Sequence, residues 1–342
     1  MLLTLAPLSP MYGEAPSEFI SLLRNQLGNS SGNLAERLDK EVVAVIVPHS
    51  AEGEIVAVGA VRIPVTLDFF VNSFRNIAEF KKSAATQAIA HFGDPLSPRD
   101  LSGMTLGSFD RNALSGCVPG NCNLKLSAAM ISALRAPGGA SVDQKFRKLL
   151  WEYVASYVQR GTPGMIDYAD KKTPVHASAE FRGLLARFSW VPGYAQPLAH
   201  ALNAPYEKRA GQVEQFFYWS EEDLSLKPLI SITHVFVYKT NIGGHDWAFL
   251  ASKQIYADHY LNGSLGLTVL AEETKDPDHP MLNVAYFNRT VVDGLRGWFA
   301  SLQRSLVERR IRSAVEKNMT DMRQRLIAAH RDAAMKRREH GN

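Results

Sequence analysis

Cys117 and Cys122, the chain's two cysteines, frame Val-Pro-Gly-Asn, and Pro119-Gly120 suits the central positions of a type II turn. Such a turn brings its flanks together, so the two thiols face one another at a separation that a disulfide accepts. In an oxidising compartment the pair is a small structural staple, and in a reducing one it is two thiols. A redox-active pair more often has the shorter C-x-x-C spacing. Zinc asks for about four ligands, and with no second cysteine pair and no close histidine pair the spacing gives no metal site. Nor is a cofactor implied. Gly243-Gly244 lies in a turn with no helix after it, so it is not a dinucleotide or phosphate loop, and Gly-x-Ser-x-Gly is absent.

Ionisable residues also interrupt apolar strand faces. Alternation puts Ile230, Ile232, His234, Phe236 and Tyr238 on one face of a strand, and Phe249, Ala251, Lys253, Ile255, Ala257 and His259 on one face of the next. Burying Lys or His without a partner is costly, and a cavity holding a ligand's polar head relieves that cost. His234, Lys253, Tyr256, His259 and Arg289 are therefore the candidate ligand contacts, with Arg289 suited to a carboxylate or phosphate. His234 paired with His259, or either with Asp258, would serve acid–base chemistry if the fold brings them within hydrogen-bond reach.

These residues must be positioned by a mixed fold. Glu41–Pro48 and Glu54–Pro64 read as a hairpin, followed by an amphipathic helix over 66–82 and a strand over 86–92. Ser141-Val-Asp-Gln144 has the form of a capping box and opens a helix that Gly161 stops, with shorter helices near 176–188 and 195–203. From Phe216 onward five strands follow, and Asn241–Gly244 and Asn262-Gly263 supply hairpin turns, so neighbours run antiparallel. After Gly294 one long helix remains, with Leu295, Phe299, Leu302, Leu306, Ile311, Val315, Met319, Met322 and Leu326 at approximate helical period, and its first half should bury a face against the meander.

The fold class is α+β: a curved antiparallel sheet, a helical insertion over about 126–210, and a long C-terminal helix. Residues 1–40 form an N-terminal leader and helix, 41–330 one domain, and 331–342 a basic tail. The apolar start, Met1 to Leu8, lacks a basic segment and is interrupted by Pro7 and Pro10, so it reads as a disordered leader rather than a signal peptide. No run of about eighteen apolar residues occurs, so no segment reaches the length of a transmembrane helix. Periplasm and cytoplasm both stay open. Of the net +4 charge, residues 295–342 carry twelve Lys/Arg against five Asp/Glu, which suits an anionic membrane surface better than nucleic acid.

Cys117 to Leu126, Phe217 to Ser220, Ser231 to Val235, Ile255 to Tyr260 with Leu265 to Leu267, and Asn288 to Leu295 together resemble an uncharacterised bacterial protein family with a C-x-P-G-x-C loop. That family implies no activity. Asn121 and Asn123 stand where it leads one to expect acidic residues. The order of elements is more distantly similar to START and polyketide-cyclase-like helix-grip domains, whose sheet wraps a C-terminal helix around a hydrophobic cavity. That resemblance implies binding or transport of a lipid or other apolar small molecule between sheet and helix, or an enzyme with histidine acid–base residues in the same cavity.

Overall fold

The computed structural model describes residues 16–28, 33–47, 51–223, 227–274, 276, 279–295 and 300–340, with backbone alone for 300–303 and 337–340. Helices α1 (Ser17–Leu27) and α2 (Leu34–Lys40) precede the hairpin of β1 (Val43–Ile46) and β2 (Glu54–Ile63). Helix α3 (Leu67–Arg75) and the single turn α4 (Ile77–Phe80) lead to β3 (Thr86–His91). Then come α5 (Ser108–Ala113), α6 (Ala128–Arg135), α7 (Val142–Arg160), the ribbon of β4 (Asp167–Tyr168) and β5 (Val175–His176), α8 (Ala177–Ala186), α9 (Val191–Ala201) and β6 (Arg209–Ala210). The meander is β7 (Val213–Asp223), β8 (Pro228–Ile242), β9 (His245–Ala257), β10 (Leu261–Glu272) and β11 (Leu282–Val292), and α10 (Ala300–His340) closes the chain.

One antiparallel sheet, ordered β1-β2-β11-β10-β9-β8-β7-β3 with β6 beside β7, organises everything else, and it does not close into a barrel. Both of its faces are covered. Helices α1, α6, α7, α8 and α9 bury Phe19, Phe146, Leu150, Tyr157, Phe181 and Leu198 against Phe217, Ile232, Phe236, Phe249 and Leu267. On the other face α3 and α10 bury Phe70, Phe74, Met319 and Leu326 against Val61, Val235, Leu250 and Val284. Double coverage explains why β2 is an unbroken apolar run instead of an alternating one.

Local signals account for the helix ends. Thr66 accepts from the Phe69 N–H to start α3, and Ser141 and Gln144 form a reciprocal capping box at α7. Gly161, at φ +64°, ends α7 where a Cβ would strike the Ala204 backbone.

The N-terminal segments α1 and α2 are core helices, with Phe19 and Leu34 fully buried. Two expectations need correction. The β9–β10 turn is not Asn262-Gly263, which lie within β10, but Asp258-His259-Tyr260, with Tyr260 at φ +56°. Helix α10 packs on β1 and β2 at one edge of the sheet, where Val315 and Met319 fill the space above Gly59. Its burial falls midway along it, at Met319, and at Leu326, while Leu306 nearer its start is exposed, because only the turns that cross this edge meet the sheet. The leader over 1–15, the Ser50 end of the first turn, Phe299, and the side chains of Leu302 and Arg337-Arg338 lie outside the described residues.

Candidate functional site

The polar candidates all lie on the face covered by the helical insertion, away from α10. They form two groups. In mid-sheet, His234 and Lys253 are direct cross-strand partners. The His234 ring stacks on Phe217 at 4.1 Å between centroids, and its Nδ1 lies 3.0 Å from the Tyr157 hydroxyl. The Lys253 amine donates to Thr162 Oγ1 (2.7 Å) and to the Leu202 carbonyl (2.9 Å), with the Phe181 ring 4.1 Å below it. Burial drives both groups towards their neutral forms, and Lys253 adds to the effect on His234. Two surface depressions of about 330 and 310 Å³ lie beside Asp68, Lys239 and Asp246 and beside Glu180 and Arg187. None of His234, Lys253, Tyr256 and His259 lines either one.

Arg289 is held inside the protein. Its guanidinium meets the fully buried Glu54 carboxylate at 2.9 Å, and Arg187 meets the other oxygen at 2.7 Å. One carboxylate between two guanidinium groups joins β2, β11 and the end of α8, a structural use of the charge.

The second group sits at the end of the sheet, and a β-bulge creates it. Ile232 pairs with Tyr256 but Thr233 pairs with Gln254, so Ile255 is an extra residue on β9. Beyond it the alternation changes phase. Tyr256 turns into the core and β9 ends at Ala257, which leaves Asp258 and His259 in the turn. Helix α7 and the β4 ribbon satisfy the displaced backbone: Tyr153 donates to the Ile255 carbonyl (2.5 Å), and the Ala257 N–H donates to the Tyr168 hydroxyl (3.0 Å). Asp258 Oδ1 accepts from the Ile230 N–H at 2.8 Å, which pins the turn to β8.

Into this turn reaches Asp110 from α5. Its Oδ2 is 3.2 Å from His259 Nε2, and one donor atom each from Asp110, Asp258 and His259 lie within 4.8 Å of one another. All three residues are at most 4% exposed. Among the described residues, Asp110 Oδ1, Asp258 Oδ2 and the Tyr256 hydroxyl have no hydrogen-bond partner. Burial pushes the Asp258 carboxyl up to about 7, His259 opposes that shift and Asp110 adds to it. Burial also raises Tyr256, and the charges of Asp258 and Asp110 raise it further, so its hydroxyl stands within electrostatic reach of both carboxylates.

Below the turn the cysteine loop is docked. Cys117 and Cys122 stand at disulfide distance, Cα atoms 4.4 Å apart, and Gly120 has the φ of +87° that a type II turn requires. Gly120 and Cys122 donate to the carbonyls of Ala169 and Asp170. Three residues on, the Lys125 N–H donates to the Asp258 carbonyl (2.8 Å), while its buried amine meets Asn262 (2.8 Å), Asp293 (3.4 Å) and Asp170 (3.8 Å).

The proposed pairing of either histidine with Asp258 takes a different form. His259 adjoins Asp258 but meets Asp110, and His234 belongs to the mid-sheet group. Asp110 is the residue that sequence reasoning missed. It sits 148 positions before Asp258 on a six-residue helix, and its sole local signal is its place seven residues before Cys117. No family model, curated protein or solved structure shows a significant match to the chain.

Proposed function

We propose that the chain is a metal-dependent enzyme that holds a divalent first-row cation between Asp110, Asp258 and His259. The observation that carries this reading is the pair of buried carboxylate oxygens, Asp110 Oδ1 and Asp258 Oδ2, left without partners beside an imidazole. Two carboxylates buried side by side repel one another and have lost their hydration, and a cation or a proton must offset that cost. Metal–donor distances of about 2.0–2.2 Å place tetrahedral donors roughly 3.3–3.6 Å apart. The 3.2 Å between His259 and Asp110 is already close to this, and the remaining donors need shift only modestly.

The donor types narrow the ion. Calcium takes about six to eight oxygens, and copper(I) prefers sulfur, whereas an imidazole with two carboxylates suits zinc, manganese or iron(II). Three protein donors leave room for exogenous ligands, the pattern of catalytic sites and not of closed structural ones. We favour this reading over an apolar carrier because Lys253 and His234 Nδ1, which suggested a cavity, meet Thr162, Leu202 and Tyr157. Any helix-grip relationship would concern the α10 face and carries no part of the proposal.

Calorimetric titration of chelator-treated protein with Zn²⁺ and Mn²⁺ tests the reading. One-to-one binding is expected, weakened at least about 100-fold in Asp110→Asn or Asp258→Asn, since residues that only orient a metal's ligands already cost about 10- to 100-fold when lost. Equal binding by wild type and both variants would overturn it.

A further inference from the structure

We infer that the Cys117–Cys122 loop is the positioning device of this centre, so that the redox state of the two cysteines sets its affinity for the metal. The inference rests on the metal reading above and concerns the control of that same site. It starts from chain order. Asp110 lies on α5, and the turn at Leu114–Gly116 runs from that helix directly into Cys117. On the other side, Cys122 is followed within three residues by Lys125, whose N–H holds the Asp258 carbonyl. The disulfide therefore closes a six-residue ring between the segment that delivers Asp110 and the segment that anchors Asp258. These two donors come from elements that share no strand pairing, and the ring is the covalent link nearest to both.

Two further observations give the loop this role. Its backbone is fixed on both sides, by Val118 and Asn121 pairing across the Pro119-Gly120 turn and by Gly120 and Cys122 donating to Ala169 and Asp170. Lys125 is also fixed at both ends, its N–H on Asp258 and its amine among Asn262, Asp293 and Asp170. Lys125 touches the centre only through the Asp258 carbonyl, so it is a positioning residue. Its buried charge faces Asp170 and Asp293, and Lys171 shares Asp293 at 2.8 Å. An anchor of this kind keeps its place only while the chain entering it is constrained.

Cys117 is buried and Cys122 is half-buried, so Cys122 is the sulfur that a thiolate can reach. A dithiol reductant attacks Cys122 and releases the Cys117 thiolate, which takes up a proton. The reductant's second thiol then attacks the mixed disulfide and frees the Cys122 thiol. Two electrons and two protons pass to the protein, and the reductant leaves as its own disulfide. With the covalent link gone, only its backbone hydrogen bonds hold the loop, and the placement of α5 relative to Asp258 loosens.

The test compares Zn²⁺ and Mn²⁺ affinity of the full chain in its oxidised form with the Cys117→Ser/Cys122→Ser double variant, which carries no thiol to bind metal itself. Groups that orient a metal's ligands are worth about 10- to 100-fold in affinity, and a weakening of that size is expected with far-ultraviolet circular dichroism unchanged. Lys125→Met should weaken binding in the same range in the oxidised protein. If the double variant and the oxidised wild type bind equally, the positioning role is wrong and the metal reading stands. If neither binds, the metal reading itself fails. Should the double variant not fold, folded wild type that is reduced, alkylated and freed of reductant replaces it, and undiminished binding there overturns the inference.

Discussion

Two groups of buried ionisable side chains lie under the same helical layer, and they differ in what has been left undone. Around His234 and Lys253, in mid-sheet, hydroxyls, a carbonyl and aromatic rings meet the amine and His234 Nδ1. His234 Nε2 alone of the pair is left without a hydrogen bond among the described residues, and both groups are driven to neutrality. Around Asp110, Asp258 and His259, at the sheet's end, equally deep burial leaves two carboxylate oxygens and a phenol hydroxyl with nothing to bind. Depth alone therefore does not mark a working site. Two unmet carboxylate oxygens side by side are the distinguishing feature, since each buried unpartnered polar atom costs on the order of 1–3 kcal/mol and here the two also repel one another.

The sharpest way to break this contrast is to neutralise Asp258. Burial raises its carboxyl to about 7 from the ordinary 3.8, so the folded state favours the protonated acid. That contribution is full below about pH 4 and is lost as pH rises through 7. In the metal-free protein, Asp258→Asn is expected to stabilise by up to about 4 kcal/mol at pH 8, a gain that shrinks as pH falls towards 4. Urea unfolding at several pH values reads it. A variant less stable than wild type at pH 8 would mean that the site's charge is already compensated within the protein.

Lys253→Met should act in the opposite sense with pH and more weakly. The folded amine has a lowered value, so wild-type stability rises with pH up to the unfolded range near 10.5. The variant should lose that rise between pH 7 and 10. Near pH 7 it exchanges the cost of neutralising the amine for the loss of its hydrogen bonds to Thr162 and Leu202, about 1 kcal/mol each, since the Thr162 hydroxyl still donates to the Leu202 carbonyl. Metal affinity should not change, and a tenfold loss would place the mid-sheet group within the centre.

The smallest effect is expected at His234. His234→Phe keeps the stack on Phe217 and gives up the Tyr157 hydrogen bond, a cost of about 1 kcal/mol. The lowered value of His234 means that wild type loses stability as pH falls below about 6.5, and the variant should lose less there. Thermal melts at pH 5 and 7.5 separate the two terms.

Much of the frame was legible because it rests on local signals. The Ser141 capping box, the stop at Gly161, the Gly243-Gly244 hairpin and the period-two strands each depend on a few neighbouring residues. What could not be read depends on distance or phase. Nothing local announces that β3 crosses to the far edge to pair with β7, or that Asp110 meets His259 across 149 positions. Asn262-Gly263 has strong turn chemistry, yet Asn262 is spent on the Lys125 amine and Gly263 lies in β10 beneath α8, so the turn formed three residues earlier. The basic tail is legible as charge and not as use: Arg325 caps α4 by donating to the Glu79 and Phe80 carbonyls, and Lys317 pairs with Asp321.

The additional residue at Ile255 makes the length of β9 part of the site's specification, separately from its chemistry. Between Lys253 and the turn, side chains of similar size could be exchanged at modest cost. The number of residues could not. A one-residue deletion at Ile255 would leave His234 opposite Lys253 and Tyr256 opposite Ile232, but it would remove the carbonyl that Tyr153 holds and straighten the strand that leads into Asp258. Counting residues across this short interval is thus a quicker guide to which related chains could keep the centre than comparing their letters.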